Sequence, residues 1–103
     1  MWEMQTKQRF ALDQTVILRR FNGEVSAPEG TAPDHDYWRL IGQIGQVRDL
    51  DDSRLGLSAQ QPRRMLVQFQ VDPNSLGLHC HNRLARALWV QVEDAEPLPT
   101  WAP

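Results

Sequence analysis

Apolar and polar residues alternate most regularly near the middle of the chain. Met65, Val67, Phe69 and Val71 share one parity; Arg64, Leu66, Gln68 and Gln70 share the other. A period of two predicts a strand over 63–71, with the first set facing a core and the second, mostly polar, facing water. Three more stretches predict strands. Residues 15–19 are rich in β-branched side chains, with Val16 and Leu18 on one face. Residues 43–48 contain Gly45, which predicts a bulge or tight bend. Residues 87–92 place Leu88, Val90 and Val92 on one face. Between the first two strands, residues 21–33 hold the turn dipeptide Asn22-Gly23 and the breakers Pro28, Gly30 and Pro33. Loops of that length are usually functional or mobile. Asp34-His35-Asp36 before Tyr37-Trp38-Arg39-Leu40-Ile41 predicts one short helical turn with an acidic cap, ending at Gly42. Residues 49–62 form a hairpin connection with a solvated tip. Glu93, Asp94, Glu96 and the prolines Pro97, Pro99 and Pro103 close the chain.

Four or five short strands with little helix predict an all-β fold, a barrel or an open sheet. With 103 residues, 41% of them hydrophobic, a single ordered domain is expected. Its ends, 1–11 and 97–103, are expected to be mobile. The net charge of -2 argues against a dedicated non-specific nucleic-acid binder, which carries a basic excess. Ten of the eleven basic residues are Arg, the better side chain for bidentate and stacked contacts. The single cysteine, Cys80, allows no intrachain disulfide and fits a reducing compartment. The first residues lack a basic segment followed by an apolar run, and no apolar stretch is long enough to span a membrane. The expectation is a cytoplasmic protein.

Residues Leu40-Ile41-Gly42-Gln43-Ile44-Gly45-Gln46-Val47, taken with Val67, Phe69, Trp89 and the acidic–apolar stretch 93–98, give a further expectation. The Gly-x-x-Gly-x-Val turn into a strand resembles the small Src-homology-3-like barrels, including the KOW-type modules of ribosomal and transcription proteins. The resemblance covers about half the chain, from Gly42 onward. It implies a small Src-homology-3-like barrel of about five strands with one short helical turn and long loops, and, through the KOW members, RNA binding. The combination of Tyr37 to Gly42 with Cys80-His81-Asn82 and Leu88-Trp89-Val90 resembles small uncharacterised bacterial proteins.

His79-Cys80-His81 is the most conspicuous chemical cluster. In an extended segment the two imidazoles point one way and the thiol the other. A closed zinc site needs about four ligands, and Asp34, His35 and Asp36 could complete one only if the fold brings them near. The alternative is a small core cysteine flanked by histidines that bond the backbone. A Cys80 nucleophile would need His35 as its base. Asp49, Asp51 and Asp52 fit a solvated turn better than paired acid–base catalysts.

Recognition has the stronger case. Tyr37, Trp38 and Trp89 lie among Arg39, Arg63, Arg64, Arg83 and Arg86, and aromatics beside arginine stack bases or fill protein hot spots. Both tryptophans also suit a barrel core. The sequence thus reads as a non-enzymatic binding module without catalytic residues, cofactor or metal. Its predicted surface is Tyr37, Trp38, Arg39, Arg63, Arg64, Arg83 and Arg86, and its partner a protein. The alternative is a KOW-type RNA-binding module, which predicts these arginines clustered on one side together with Arg19 and Arg20.

Overall fold

The alternation over 63–71 does produce a strand, and four others join it. In the computed structural model, which describes residues 10–98, the strands are β1 (Thr15–Leu18), β2 (Ile44–Asp49), β3 (Arg64–Phe69), β4 (Ala87–Gln91) and β5 (Ala95–Pro97). They form one antiparallel sheet in the order β4-β3-β2-β1-β5. β1 to β4 are a meander. β5 then crosses to the far edge and pairs with β1, Ile17 opposite Glu96. The closing acidic stretch therefore supplies a strand, which its short length and proline had hidden. A three-residue 3₁₀ turn, Val92–Asp94, links β4 to β5.

One helical turn was expected, and five 3₁₀ turns occur among the described residues, at Pro33–His35, Tyr37–Leu40, Ser53–Leu55, Pro73–Leu76 and Val92–Asp94. No α-helix forms among these residues, and no helix is long and apolar enough to cross a membrane. The expected turn at Tyr37–Leu40 is present, but Asp36 makes no side-chain capping bond to it. Gly42 follows at φ +93°, a conformation that favours glycine.

The expected inward faces hold. Val16, Leu18, Val47, Met65, Val67, Phe69 and Val90 are buried together with Leu40 and Leu78. Gly45 lies within regular pairing, between Val16 and Phe69, and the bulge falls two residues later, between Val47 and Asp49. Gly45 is required for a different reason. A Cβ there would lie 2.7 Å from both the Gln68 carbonyl oxygen and Val67 Cγ1.

Of the stretches expected to be mobile, 1–11 and 97–103, only residues 10–11 and 97–98 are described. Phe10 is in the core, Pro97 is in β5, and the Leu98 N–H donates to the Thr15 carbonyl. Residues 1–9 and 99–103 lie outside the described region. Asp94 is 2% exposed and fastens the start of the long first loop. Its carboxylate lies 3.6 Å from Arg20 Nε and accepts from the Gly23 N–H, and its carbonyl accepts from the N–H groups of Arg19 and Arg20.

Candidate functional site

Leu66 has the parity of the water-facing set of β3, yet it is only 3% exposed. Its cross-strand partner is Trp89 of β4, on the same outer face. Trp89 is half-buried, and the two side chains form the floor of an open groove of about 300 Å³. Leu55 and Arg54, from the Ser53–Leu55 turn, form one wall. Residues 81–83 form the other.

Both walls are set by local hydrogen bonds. In the β2–β3 connection, Asp49 accepts from the Asp51 N–H (2.9 Å), Asp51 from the Ser53 N–H (3.0 Å), and Asp52 from the Arg64 N–H (3.0 Å). These carboxylates build turns, as aspartate side chains near their own backbone readily do. The bonds from Ser53 hold the Asp51 carboxyl below its ordinary pKa. On the other wall, Asn82 Nδ2 donates to the Ala87 carbonyl at 2.6 Å, where buried Cys80 Sγ also points at 3.3 Å. Arg83 reaches Asp49 at 3.3 Å and so ties the two walls together.

The seven residues expected to form the binding surface are divided among different places. Tyr37 and Trp38 pack on the core beside Phe21, at ring centroid distances of 5.5 and 5.1 Å. The Tyr37 hydroxyl donates to the His79 carbonyl. Burial, and then the charges of Cys80 and Asp34, push its pKa above the usual value. Arg39 donates to the Leu76 carbonyl at 2.6 Å. Residues 37–39 thus clasp the β1–β2 connection to the β3–β4 connection. Arg63 bonds the Ser58 and Gln61 carbonyls and lies 3.6 Å from Asp52. Arg64, half-buried, donates to the Trp89 carbonyl and to Asn22 Oδ1. Burial lowers its pKa, opposed by the charge of Asp94. Arg83 lines the Trp89 groove, whereas Arg86 lines a second groove and donates to the Gln70 carbonyl.

That second groove, about 220 Å³, lies over β1, β2 and β3. Its groups are Thr15, Gln46, Arg48, Gln68 and Gln70 with Arg86. Arg48 donates to Gln68, Gln46 and Asp13, and Gln68 donates to the Ala85 carbonyl.

The three histidines of the chain gather at one corner. The rings of His79 and His81 are 4.2 Å apart, both exposed, with Cys80 pointing inward as expected. His35 lies 5.8 Å from His79, and the His79 N–H donates to the Asp34 carbonyl. Among the described residues, no group of three or more His, Cys, Asp or Glu side chains is placed to hold a metal ion. Cys80 is buried with its thiol pKa raised mainly by that burial, which disfavours the nucleophilic thiolate.

Leu55, Leu66, Arg54 and Asn82 were not singled out from the sequence. Leu66 did carry a signal, as the one apolar residue among the polar parity of its strand. Arg54, Leu55 and Asn82 lie in connections without period, and only the fold brings them together. No protein-family model, curated protein or solved structure matches the chain.

Proposed function

We propose that the chain is a small Src-homology-3-like barrel acting as a non-enzymatic protein-binding module, with the Leu66–Trp89 groove as its docking surface. The barrel reading is supported by the β4–β5 link. In a flat sheet those strands would stand about 19 Å apart, four spacings of about 4.8 Å. Val92–Asp94, wound as a 3₁₀ turn, covers only about 2 Å per residue. A strongly curled sheet reconciles the two lengths.

The docking reading rests on one observation: a half-buried tryptophan on the outer face of β4, above buried Leu66 and together with half-buried Leu55, lines an open groove. Tryptophan is among the side chains most enriched in interaction hot spots. Protein is favoured over nucleic acid by the engagement of the arginines. Of the nine described, Arg19, Arg20, Arg48, Arg63 and Arg83 pair with carboxylates. Arg39, Arg64 and Arg86 bond backbone carbonyls. Such an arrangement leaves no continuous basic track for a phosphate backbone.

The test is affinity capture on the full chain from lysate, with and without nuclease, comparing wild type, Trp89→Ala and Gln46→Ala. The expected result is a partner that survives nuclease, is lost with Trp89→Ala and is kept with Gln46→Ala. Partners released by nuclease would instead favour the KOW-type RNA-binding reading.

A further inference from the structure

The groove is apolar at its floor and positive at its rim. Arg54 and Arg83 both line it, and no carboxylate does. The nearby aspartates are engaged in loop bonds: Asp51 and Asp52 accept from backbone N–H groups, and Asp49 accepts from the Asp51 N–H and from Arg83. Arg54 makes no hydrogen bond or ion pair among the described residues, although Asp51 lies within its electrostatic reach. The Arg83–Asp49 pair is single and its Arg side chain is 65% exposed. The Asp49 side chain is 20% exposed and keeps its bond from the Asp51 N–H when Arg83 turns to a visiting carboxylate.

Two guanidiniums beside an apolar floor, with the other described arginines engaged elsewhere, suit one localised negative charge rather than a polyanion. The volume, about 300 Å³, is at the small end of ligand sites and admits a few side chains. Backbone pairing with β4 is an unsuitable route. The Trp89 and Ala87 carbonyls, which a visiting strand would use as acceptors, are already taken by Arg64 and by Asn82 and Cys80.

Taking the groove as the docking surface proposed above, we infer that its occupant is an acidic–apolar peptide segment. A leucine or aromatic side chain rests on Trp89 and Leu55, and a neighbouring Asp or Glu carboxylate is held by Arg54 and Arg83. Arginine suits that second role because its planar fork matches a carboxylate and binds it through charge-assisted hydrogen bonds.

The test is selection of short random linear peptides displayed on phage against the full chain. Enriched peptides are then measured by fluorescence polarisation on wild type, Arg54→Glu, Arg83→Glu and Trp89→Ala, with circular dichroism confirming that each variant is folded. The expected result is enrichment of Asp or Glu next to Leu, Phe or Trp. Affinity should fall at least about tenfold in Arg54→Glu, the size of effect seen when a close charge pair at an interface is broken. Raised salt should weaken wild-type binding but have little further effect on that variant. Peptides that depend on Trp89 but carry no acidic position, or that bind Arg54→Glu as well as wild type, overturn this inference and leave the docking surface standing. Failure to enrich any peptide sensitive to Trp89→Ala overturns both. A single-stranded RNA oligonucleotide that binds wild type and loses affinity in Trp89→Ala would also overturn both, in favour of nucleic acid.

Discussion

The two grooves lie on the outer side of one sheet and share β3, yet they are built in opposite ways. Over β1 to β3, the Gln46–Gln68 pair is stitched together by Arg48, whose guanidinium also reaches Asp13. Over β3 and β4, two residues along β3, the corresponding pair is Leu66–Trp89; Leu66 is covered, whereas Trp89, with Leu55 beside the groove, remains partly open. A visitor to the first groove must break existing hydrogen bonds to make new ones, for little net gain. A visitor to the second covers apolar area that the fold leaves open, which is favourable at about 25 cal/mol per Å². Groove volume alone does not distinguish the two; the state of their polar groups does.

The strongest challenge to both surfaces is a change in the strand beneath them. Gly45→Val places a branched side chain against the Gln68 backbone and Val67, and should destabilise the domain by about 3 kcal/mol, read as a lower urea midpoint. Each face can then be tested separately. Leu66→Ala, at a buried position, should cost about 2 kcal/mol, and Gln68→Ala about 1 kcal/mol in the same assay. Equal losses would show that the outer apolar pair adds no packing beyond what the polar stitching provides. Arg48→Ala should cost about 0.5 kcal/mol or less, because its pairs are exposed.

The smallest effect lies outside both faces and serves as a control. Tyr37 is the chain's single tyrosine, so ultraviolet absorbance titration reads it alone. Its raised pKa predicts a midpoint above 10.0. The folded state then holds that proton more tightly than the unfolded state. The linked stability is complete below pH 10.0 and declines as pH rises through the folded midpoint. Tyr37→Phe should remove this alkaline dependence and leave peptide affinity at the Trp89 groove unchanged. A change in affinity would mean that the loop clasp and the groove are coupled.

The strands were readable wherever a period of two ran for several residues, as in Met65, Val67 and Phe69. β5 was not, because Ala95–Pro97 is too short to show a period and contains proline. Of the four additional 3₁₀ turns, that at Pro73–Leu76 carries the turn signal Asp72-Pro73-Asn74, whereas the others are three residues long and leave no apolar stripe. Residue type suggested that the arginines could bind a partner, but not which were already engaged. Arg64 and Asn22 are distant in sequence, and their 2.6 Å bond depends on the fold. Trp89 stands out in the sequence, whereas the groove around it depends on the meeting of two irregular connections.

The position of β1 between β2 and β5 also constrains how the chain can be made. Of the described strands β1 emerges first from the ribosome, while one of its two neighbours is supplied by the last. Until residues 95–97 are free, one edge of β1 must wait, with its backbone groups paired only to water or to a chaperone. Folding is therefore completed by the most non-local contact in the sheet, the slow kind to close. Truncation just before Ala95 should thus yield a nascent chain with an adhesive edge, exposed to pairing with other chains.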